Sequence, residues 1–405
     1  MLKTAYILLW FPVPTETFIL REVVNLRRYG LPVFVFSLYG RWRKNLSREM
    51  SEQAADVERL GMWSLPRLIA ALVHWLWRKP GETLHILRRF TFRRWRGLEK
   101  TGENLWALLA GFHLARRFED LGIEHIHAPW AAGPATAAWV ASQLTGRPYS
   151  FTARAWDIYP ADALIGEKVD AATFVRTETS ANVAHLKAIT GAADAKFRVT
   201  YNGMPLTRTV DAPLRMTPPY KLLAMGRFVP KKGFDVLVAA AGILAGRGVP
   251  FELTFAGDGR LRNALERQAR ALGIADRVRF PGFLSHDSVG AAFAGADVFV
   301  MPCVVAASDD RDGIPTVLME ALMHRVPVIS TPVSGIPELI RDGETGLLVP
   351  ERDPVALADA IQRCLTDRDF SVRIAEQGRE QVRRQFDAER NHRAVLALYA
   401  TIGRP

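Results

Sequence analysis

The chain alternates short apolar runs with longer stretches in which apolar residues recur every three or four positions. The short runs predict buried strands, and the longer stretches predict amphipathic helices. Strands that alternate with helices form parallel sheets with helices on both faces, so the sequence predicts an α/β fold. The apolar runs fall at residues 6–10, 33–37, 125–127, 149–152, 172–176, 198–201, 221–226, 251–256, 278–280, 298–301, 328–330 and 346–349.

A break in this pattern follows Tyr201, Asn202 and Gly203, where residues 207–219 are rich in proline and charge and predict a linker. The break separates predicted domains at 1–203 and 204–385. Two domains fit a length of 405 residues. Ligands of parallel sheets bind outside the carboxyl ends of the strands, so we expect a site in a cleft where the two domains face each other.

Composition narrows the class of protein. Hydrophobic residues make up 49% and charged residues 23% of the chain, which fits a globular enzyme. The only cysteines, Cys303 and Cys364, offer neither a disulfide framework nor a metal cluster. No apolar run reaches the roughly 18 residues of a membrane span. The sequence therefore predicts a cytoplasmic protein without a metal site.

The net charge of +11 is unevenly distributed. Residues 63–100 contain nine basic and two acidic residues, a net charge of +7, together with Trp63, Trp75, Trp77 and Trp95. Basic residues with aromatic side chains suit the surface of an anionic membrane. The alternative is a solvated helix pair whose apolar faces pack into the core. We do not expect nucleic-acid binding, because no recognised motif accompanies the charge.

The segment DGIPTVLMEALMHR, residues 312–325, carries the clearest candidate chemistry. Pro315 fits the first turn of a helix. The unpaired amides at such a helix start attract phosphate. Asp312 precedes the helix and Glu320 lies within it, so an anion site flanked by two carboxylates suits a sugar nucleotide. The alternative for Glu320 is a helix residue that pairs with Arg325 or faces solvent.

The phrase GRFVPKKG contributes two candidate cations. Arg227 and Lys232 would follow a strand that ends at Met225, where they could neutralise a departing diphosphate. Taken alone, the phrase favours a solvated loop over a diphosphate site, because surface loops often hold such residues.

A family resemblance ties these phrases together. The order GRFVPKKGFD, AGDGRLRNALE, VRFPGFLSHDSV, ADVFVMP, DGIPTVLMEALMHRVPVIST and SGIPELIRDGETGLLVP resembles the family-4 retaining glycosyltransferases, especially bacterial exopolysaccharide and colanic acid types. FPVPTETFILREVVNL and HAPWAAGPATAAWVASQLTGRPYSFTARAWDIY in the first half are similar to the same subgroup. The resemblance implies a GT-B-like fold: two Rossmann-like domains facing across a cleft, with residues 386–405 as a helix that crosses back to the N-terminal, acceptor-binding domain.

The resemblance also implies an activity. The expected reaction moves a sugar from a nucleotide-diphosphate sugar to a glycan or lipid-linked acceptor, with retention of configuration, in cell-surface polysaccharide biosynthesis. A UDP-sugar is favoured over GDP-mannose, and no cofactor or metal is expected. A peripheral position on the inner face of the plasma membrane, with contact through 63–100, would suit a lipid-linked acceptor.

Individual residues are carried over by position. Arg227 and Lys232 match the basic pair that contacts the donor diphosphate, and Glu320 matches the glutamate that binds the ribose hydroxyls. Asp312 stands where the family has a longer glutamate facing the donor sugar. The remaining predicted donor contacts fall into two groups. The loop that would cradle the diphosphate with its available backbone donors comprises Gly313, Ile314, Pro315 and Thr316. Asn202 and Gly257 are turn residues, and their alternative roles are a turn into the linker and a turn into a helix, respectively.

Arg227, Lys232 and Asp312 are predicted to be catalytic, and so are two residues of the first domain. Arg154 occupies the position at which the family often has histidine, in the phrase FTAR. A guanidinium cannot act as a base, but it can bind phosphate or stabilise negative charge. Its alternative role is a structural pair with Asp157. His127 matches a histidine of the subgroup, and its alternative is a hydrogen-bonded histidine at a buried strand end.

The sequence also bears on two other classes of protein, a non-catalytic homologue and an oxidoreductase. The departures at Arg154 and Asp312 leave open a non-catalytic nucleotide-sugar-binding or scaffold homologue. A nicotinamide oxidoreductase is excluded, because no G-x-G-x-x-G motif follows any predicted strand.

Overall fold

The computed structural model of the chain describes residues 1–14, 16–40, 46–91, 98–159, 161–206, 215–284 and 286–402. The chain divides into two compact units. The first unit comprises Met1–Asn202 together with Glu389–Pro405, and the second comprises Gly203–Ala388.

The first unit is built on a parallel sheet. Its described strands are β1 (Thr4–Leu8), β2 (Val33–Ser37), β3 (Val57–Arg59), β4 (His125–Ala128), β5 (Tyr149–Ala153), β6 (Phe174–Thr177) and β7 (Phe197–Val199). They are arranged in the order β3-β2-β1-β4-β5-β6-β7, which is the Rossmann order with one added strand.

Helices connect these strands. They are α1 (Thr17–Arg28), α2 (Arg48–Gln53), α3 (Leu65–Arg78), α4 (Pro80–Thr91), α5 (Leu98–Leu121), α6 (Gly133–Thr145), α7 (Ala155–Ile158), α8 (Ile165–Ala171) and α9 (Ser180–Thr190). Short 3-10 turns lie at Met62–Ser64 and Asp194–Lys196.

Both faces of the first sheet are buried. Successive side chains of a strand point to opposite faces, and each face is covered by a core of its own. In β1, Ala5 and Ile7 belong to a core that includes Phe112 of α5 and Val140 of α6. Tyr6 and Leu8 belong to a second core with residues of α1 and of the C-terminal segment. Continuous apolar strands are expected when a parallel sheet is covered on both sides.

The second unit repeats the plan. Its strands are β8 (Tyr220–Met225), β9 (Phe251–Ala256), β10 (Val278–Gly282), β11 (Val298–Val300), β12 (Val328–Ser330) and β13 (Leu347–Leu348). Among the described residues they form a six-stranded parallel sheet in the order β10-β9-β8-β11-β12-β13. The predicted α/β class with two Rossmann-like parallel sheets is confirmed.

The helices of the second unit are α10 (Phe234–Gly246), α11 (Arg262–Ala271), α12 (His286–Ala294), α13 (Thr316–Met323), α14 (Ile336–Leu339), α15 (Pro354–Thr366) and α16 (Arg368–Gln385), with 3-10 turns at Pro230–Lys232 and Ala275–Arg277. The final helix, α17 (Ala388–Ala400), packs in the first unit from Glu389 onward. There the hydroxyl groups of Tyr399 and Tyr6 lie 2.6 Å apart.

The chain enters and leaves the second unit along two adjacent segments. The N–H of Met204 donates to the carbonyl of Phe386 at 2.8 Å, and the N–H of Ala388 donates to the carbonyl of Met204 at 3.2 Å. A Cβ atom on Gly203 would lie 2.3 Å from the Cα of Ala388. The close approach of these segments therefore requires glycine at position 203.

Candidate functional site

The loops that follow β8 and β11 lie together at one edge of the second sheet. These strands are neighbours, but the chain continues from β8 to β9 on one side and from β11 to β12 on the other. At such a switch point the loops diverge and leave a crevice outside the carboxyl ends of the strands. Residues 226–233 and 301–315 occupy this position and contain most of the predicted donor contacts.

Two lysines of the first loop meet two aspartates of the second. Lys232 Nζ lies 2.7 Å from Asp312 Oδ2. Lys231 Nζ lies 2.9 Å from Asp310 Oδ1 and 3.4 Å from Asp312 Oδ1. The main chains are also joined, because the N–H of Val304 donates to the carbonyl of Lys231 at 3.0 Å. The structure thus brings the predicted residues Lys232 and Asp312 into direct contact.

The charges of this cluster stabilise each other. Burial is the largest influence on Lys232 and lowers its pKa, but the charge and hydrogen bond of Asp312, with a contribution from Cys303, together outweigh burial and raise the pKa. Burial would raise the pKa of Asp312, but Lys232 and Lys231 together lower it. Both partners are therefore charged at neutral pH. The thiol of Cys303 lies 3.8 Å from Asp312, and burial raises the pKa of this thiol, so it stays protonated.

Arg227 lies at the same strand end. Its side chain is exposed, and its positive charge is close enough to Lys232 to act against the raised pKa of that lysine. Gly257 follows β9 with a φ of 134°, and a Cβ atom there would lie 2.0 Å from the carbonyl oxygen of Gly226. Glycine at 257 is thus required by the approach of two loops, and its predicted donor contact stays a prediction.

Helix α13 begins beside the ion cluster. Pro315, predicted in the first turn, is instead the N-cap residue with an extended ψ of 125°, and the helix proper starts at Thr316. The N-cap side chain offers no cap to the helix amides, which leaves the 313–316 segment as a candidate anion cradle. Glu320 is half-buried within the helix. Arg325, considered as its partner from the sequence, forms an ion pair with Glu376 at 2.9 Å.

The first unit carries a second group of predicted residues, centred on Arg154 directly after β5. Its guanidinium forms an ion pair with Glu178, and its Nη1 donates to Asn202 Oδ1 at 3.3 Å. The carboxylate of Asp157 accepts the main-chain N–H groups of Arg154 at 2.7 Å and Ala131 at 2.5 Å. Burial raises the pKa of Asp157 to about 7. The side-chain partner of Arg154 is thus Glu178 rather than Asp157.

Aromatic rings enclose the same guanidinium. The Cζ of Arg154 lies 4.4 Å from the ring centre of Phe18 and 5.2 Å from that of Trp130. Nε donates to the carbonyl of Pro129 at 3.2 Å, whereas the buried Nη2 has no hydrogen-bond partner among the described residues. Burial, and then the charge of Arg176, lower the pKa of Arg154 to about 10, so it stays charged at neutral pH.

His127 lies in the interior of the first unit. Its Nδ1 lies 2.8 Å from Ser150 Oγ and its Nε2 lies 3.2 Å from Thr152 Oγ1. The rings of Tyr6 and Tyr399 pack against it. Burial holds the pKa of His127 well below its usual range, so the imidazole is neutral. Both ring nitrogens are occupied by hydroxyl groups, and the predicted catalytic role has no support from this geometry.

Helix α3 presents an apolar surface to solvent. Residues four apart lie on one side of a helix, so the residues at 65, 69, 73 and 77 share a face while Leu68, Ala71 and Trp75 face the core. The indole of Trp75 donates to the carbonyl of Phe112 at 2.9 Å. This tryptophan is therefore buried, as the alternative of a helix pair packed into the core expects, and it is not available to a membrane surface. We call the exposed set the apolar ridge: Met62, Trp63, Leu65, Ile69, Val73 and Trp77.

The basic side chains near the apolar ridge include exposed residues of α3 and α4, namely Arg67, Arg78, Arg88 and Arg89. Residues 92–97 of the predicted membrane segment lie outside the described residues. No helix within the described ranges is both long and apolar enough to cross a bilayer. In the same ranges, no group of three histidine, cysteine, aspartate or glutamate side chains is arranged to hold a metal ion.

Three residues that were not predicted from the sequence contact the predicted ones, namely Glu178, Lys231 and Asp310. Glu178 directly follows β6, as Arg154 directly follows β5, and the ends of neighbouring parallel strands meet at one edge. That rule could have found Glu178. Lys231 and Asp310 sit beside predicted residues in loops, where no periodicity indicates which side chain turns inward.

Comparisons with known proteins agree with this picture. Residues 210–381 match the family model described as glycosyl transferases group 1. The putative colanic acid biosynthesis glycosyltransferase WcaL of Salmonella typhimurium is 33% identical over 217 residues, 52% of this chain and 53% of WcaL. The amylovoran biosynthesis glycosyltransferase AmsK of Erwinia amylovora is 33% identical over 180 residues, 44% of each protein. The chain thus aligns with about half the length of the curated relatives it matches.

Solved structures extend the likeness to the whole chain at the level of the fold. The Anabaena protein Alr3699/HepE, crystallised with UDP and glucose, superposes with a TM-score of 0.72 over 99% of this chain and 100% of its own, at 16% identity. Sucrose-phosphate synthase of Thermosynechococcus elongatus gives a TM-score of 0.72 over 99% of both chains, at 19% identity. The predicted GT-B-like fold class is therefore confirmed at the level of two Rossmann-like domains, and residues 210–381 match the model of the glycosyl transferases group 1 family.

Proposed function

We propose that this protein is a retaining glycosyltransferase that moves a sugar from a nucleotide-diphosphate sugar to a glycan or lipid-linked acceptor in cell-surface polysaccharide biosynthesis. One observation carries the proposal: Lys232, Asp312 and the start of α13 lie together at the switch point of the group 1 domain. The names of the relatives, which refer to colanic acid and amylovoran biosynthesis, support the biological setting.

The donor would bind at the second unit. Arg227 and Lys232 would neutralise the diphosphate, with the main-chain N–H groups of 313, 314 and 316 as further donors. Glu320 would accept hydrogen bonds from the ribose hydroxyls, and Asp312 from the donor sugar. Asn202 and Gly257 remain proposed donor contacts.

The chemistry would rest on positioning and charge. The bond between the anomeric carbon and the diphosphate oxygen breaks, and the acceptor oxygen attacks from the same face. The departing diphosphate oxygen takes the acceptor proton, while Arg227 and Lys232 offset the growing negative charge. No metal ion is needed in this scheme, because side-chain cations supply the positive charge. The unpartnered Nη2 of Arg154 suits a hydrogen bond to an anionic group during transfer.

The donor is proposed to be a UDP-sugar. UDP occupies the structural neighbour HepE, whereas a mycobacterial relative, 37% identical over 166 residues, is named a GDP-mannose-dependent mannosyltransferase. Titration calorimetry with UDP, UDP-glucose, UDP-galactose and GDP-mannose, followed by transfer assays with lipid-linked glycans, tests the choice. A protein that binds none of these compounds refutes the function. Binding without transfer to any acceptor would favour the scaffold alternative.

We also propose that the protein works on the cytoplasmic face of the plasma membrane and contacts anionic lipid through the apolar ridge. Trp63 is 98% exposed and Trp77 is 92% exposed. So many large apolar side chains exposed within one short segment are unusual in the absence of a binding partner. The neighbouring arginines would attract anionic headgroups while the tryptophans insert at the interface.

Flotation with vesicles tests the membrane contact. We expect binding to vesicles of phosphatidylglycerol and phosphatidylethanolamine and weak binding to phosphatidylcholine. The double variant Trp63→Ser/Trp77→Ser should lose this binding, whereas Phe283→Ser, at a residue that is 74% exposed in the second unit, should not. Equal binding by both variants would refute the contact. If the double variant instead changes only the sedimentation of a dimer, the apolar ridge joins two copies of the chain.

A further inference from the structure

The carboxylate of Asp312 is shared between two ammonium groups. Oδ2 lies 2.7 Å from Lys232 and Oδ1 lies 3.4 Å from Lys231. Both lysine side chains are about one-tenth exposed or less, and that of Asp312 is 15% exposed. Each carboxylate oxygen therefore has its own cation, and the three charges occupy a site with little water.

The two lysines differ in how firmly they are held. Lys231 also pairs with Asp310 at 2.9 Å, and its carbonyl accepts the N–H of Val304 at 3.0 Å. It is thus fixed to the 301–315 loop by its side chain and its main chain. Lys232 has Asp312 as its ion-pair partner and lies next to the exposed Arg227. Lys232 is the cation that an incoming diphosphate can recruit.

Recruitment of Lys232 would change the balance of charge around Asp312. Once Lys232 turns to a diphosphate, the carboxylate would remain in a mostly dry site next to new negative charge. An uncompensated charge in such a site is costly, so Asp312 needs a second cation that does not leave. Lys231 is in place to serve as that cation.

We propose that Lys231 is a positioning residue for sugar transfer. Its ammonium keeps hold of Asp312 by Oδ1, which frees Lys232 for the departing diphosphate and keeps Asp312 directed at the donor. The proposal rests on the proposed function, and it assigns a role to a residue that touches neither donor nor acceptor. It also explains how Asp312 can serve where the family has a longer glutamate, because the lysines of the 226–233 loop hold its carboxylate in place.

A mutant cycle tests the proposal. Initial rates are measured for the wild type, Lys231→Met, Asp312→Asn and the double variant Lys231→Met/Asp312→Asn, with the best donor from the panel. We expect Lys231→Met to lower kcat about tenfold or more while the KM for the donor changes much less. On the Asp312→Asn background, the same change should cost nothing further, because Lys231 acts through the Asp312 charge. Independent losses that multiply in the double variant would overturn the proposal.

A second measurement does not depend on turnover. Amide hydrogen exchange of residues 303–312 should accelerate in Lys231→Met, and this effect should shrink on the Asp312→Asn background. If the wild type transfers no sugar, the proposed function fails; unchanged exchange in Lys231→Met would separately overturn the role of Lys231. Lys221→Met is the matched control, since Lys221 forms an ion pair with Glu252 at 2.7 Å elsewhere on the same unit. It should leave both kcat and the exchange of 303–312 unchanged.

Discussion

The buried ion pair between Glu22 and Arg176 makes a quantitative prediction about the first unit. The two side chains are 4% and 2% exposed, and the carboxylate and guanidinium lie 2.6 Å apart. Replacement of Arg176 by methionine leaves the volume nearly filled but removes the cation. An uncompensated buried carboxylate costs about 3–5 kcal/mol. We therefore expect Arg176→Met to lower the free energy of unfolding by about that amount near neutral pH.

The pKa of Glu22 gives a matching estimate and a sign. Burial alone would raise this pKa, but the charge and hydrogen bond of Arg176 lower it from 4.5 to about 2. That difference corresponds to roughly 3–4 kcal/mol at about 1.4 kcal/mol per pH unit. In the wild type, this stability is present above the unfolded pKa and is lost as the pH falls toward 2. In the variant, burial is opposed only by the weaker attraction of His392 and Arg154, so the pKa of Glu22 rises and the variant recovers stability on acidification.

Urea unfolding followed by tryptophan fluorescence reports the stability of the first unit, because all 10 tryptophans of the sequence precede residue 203. The deficit of Arg176→Met should be largest near pH 7 and should shrink toward about pH 4.5. The double variant Glu22→Gln/Arg176→Met should recover much of the loss. Arg48→Met removes an exposed pair with Glu52 and should change stability by less than about 0.5 kcal/mol. A deficit of Arg176→Met below about 1 kcal/mol, or one independent of pH, would refute the reasoning.

Three further predictions concern the proposed site and the chain crossing. Glu320→Ala should weaken donor binding about tenfold or more, whereas Lys232→Met should mainly slow transfer, by about 10²–10³-fold. Calorimetry measures the binding and initial rates measure the transfer. Equal losses of donor binding in both variants would contradict these separate roles. Arg154→His should lower the transfer rate, because it leaves Glu178 without its cation; a faster variant would mean that the arginine hinders the reaction. Gly203→Ala should destabilise the second unit by about 1–3 kcal/mol, because the new Cβ would meet Ala388; unchanged thermal unfolding would argue against that contact.

The sequence predicted the architecture because its main signal is periodic. Apolar runs alternating with helical stretches determine a parallel sheet, and the strands at Tyr220–Met225 and Phe251–Ala256 lie within a residue of the predicted runs. The strand-end rule also predicts that the loops after these strands lie at one edge of the sheet, which the structure confirms. These inferences need only the order and type of elements.

Side-chain partners were harder to predict, because they depend on the direction of residues in loops. The alternative considered for Arg154 was a structural pair with the nearby Asp157, yet the guanidinium pairs with Glu178 across the strand ends. Trp75 counted as a surface aromatic by composition, although the helical period turns it into the core. The sequence singled out Lys232 by its position in the motif, whereas the contact of Lys231 with Asp310 is tertiary and no sequence pattern indicates it.

The geometry of the first unit bears on where the acceptor proton goes. His127 is neutral, but hydroxyl groups occupy both of its ring nitrogens in the interior of the sheet. Arg154 holds its proton at neutral pH, since its pKa remains about 10. In this geometry neither of these two predicted residues of the first unit presents a free basic nitrogen to an acceptor hydroxyl. In the proposed reaction the departing diphosphate has both the charge and the position to take that proton, and the cations at 227 and 232 govern how readily it leaves. The family often has histidine at the position of Arg154. Because the proposed mechanism uses no protein base, the arginine at this position does not deprive it of one.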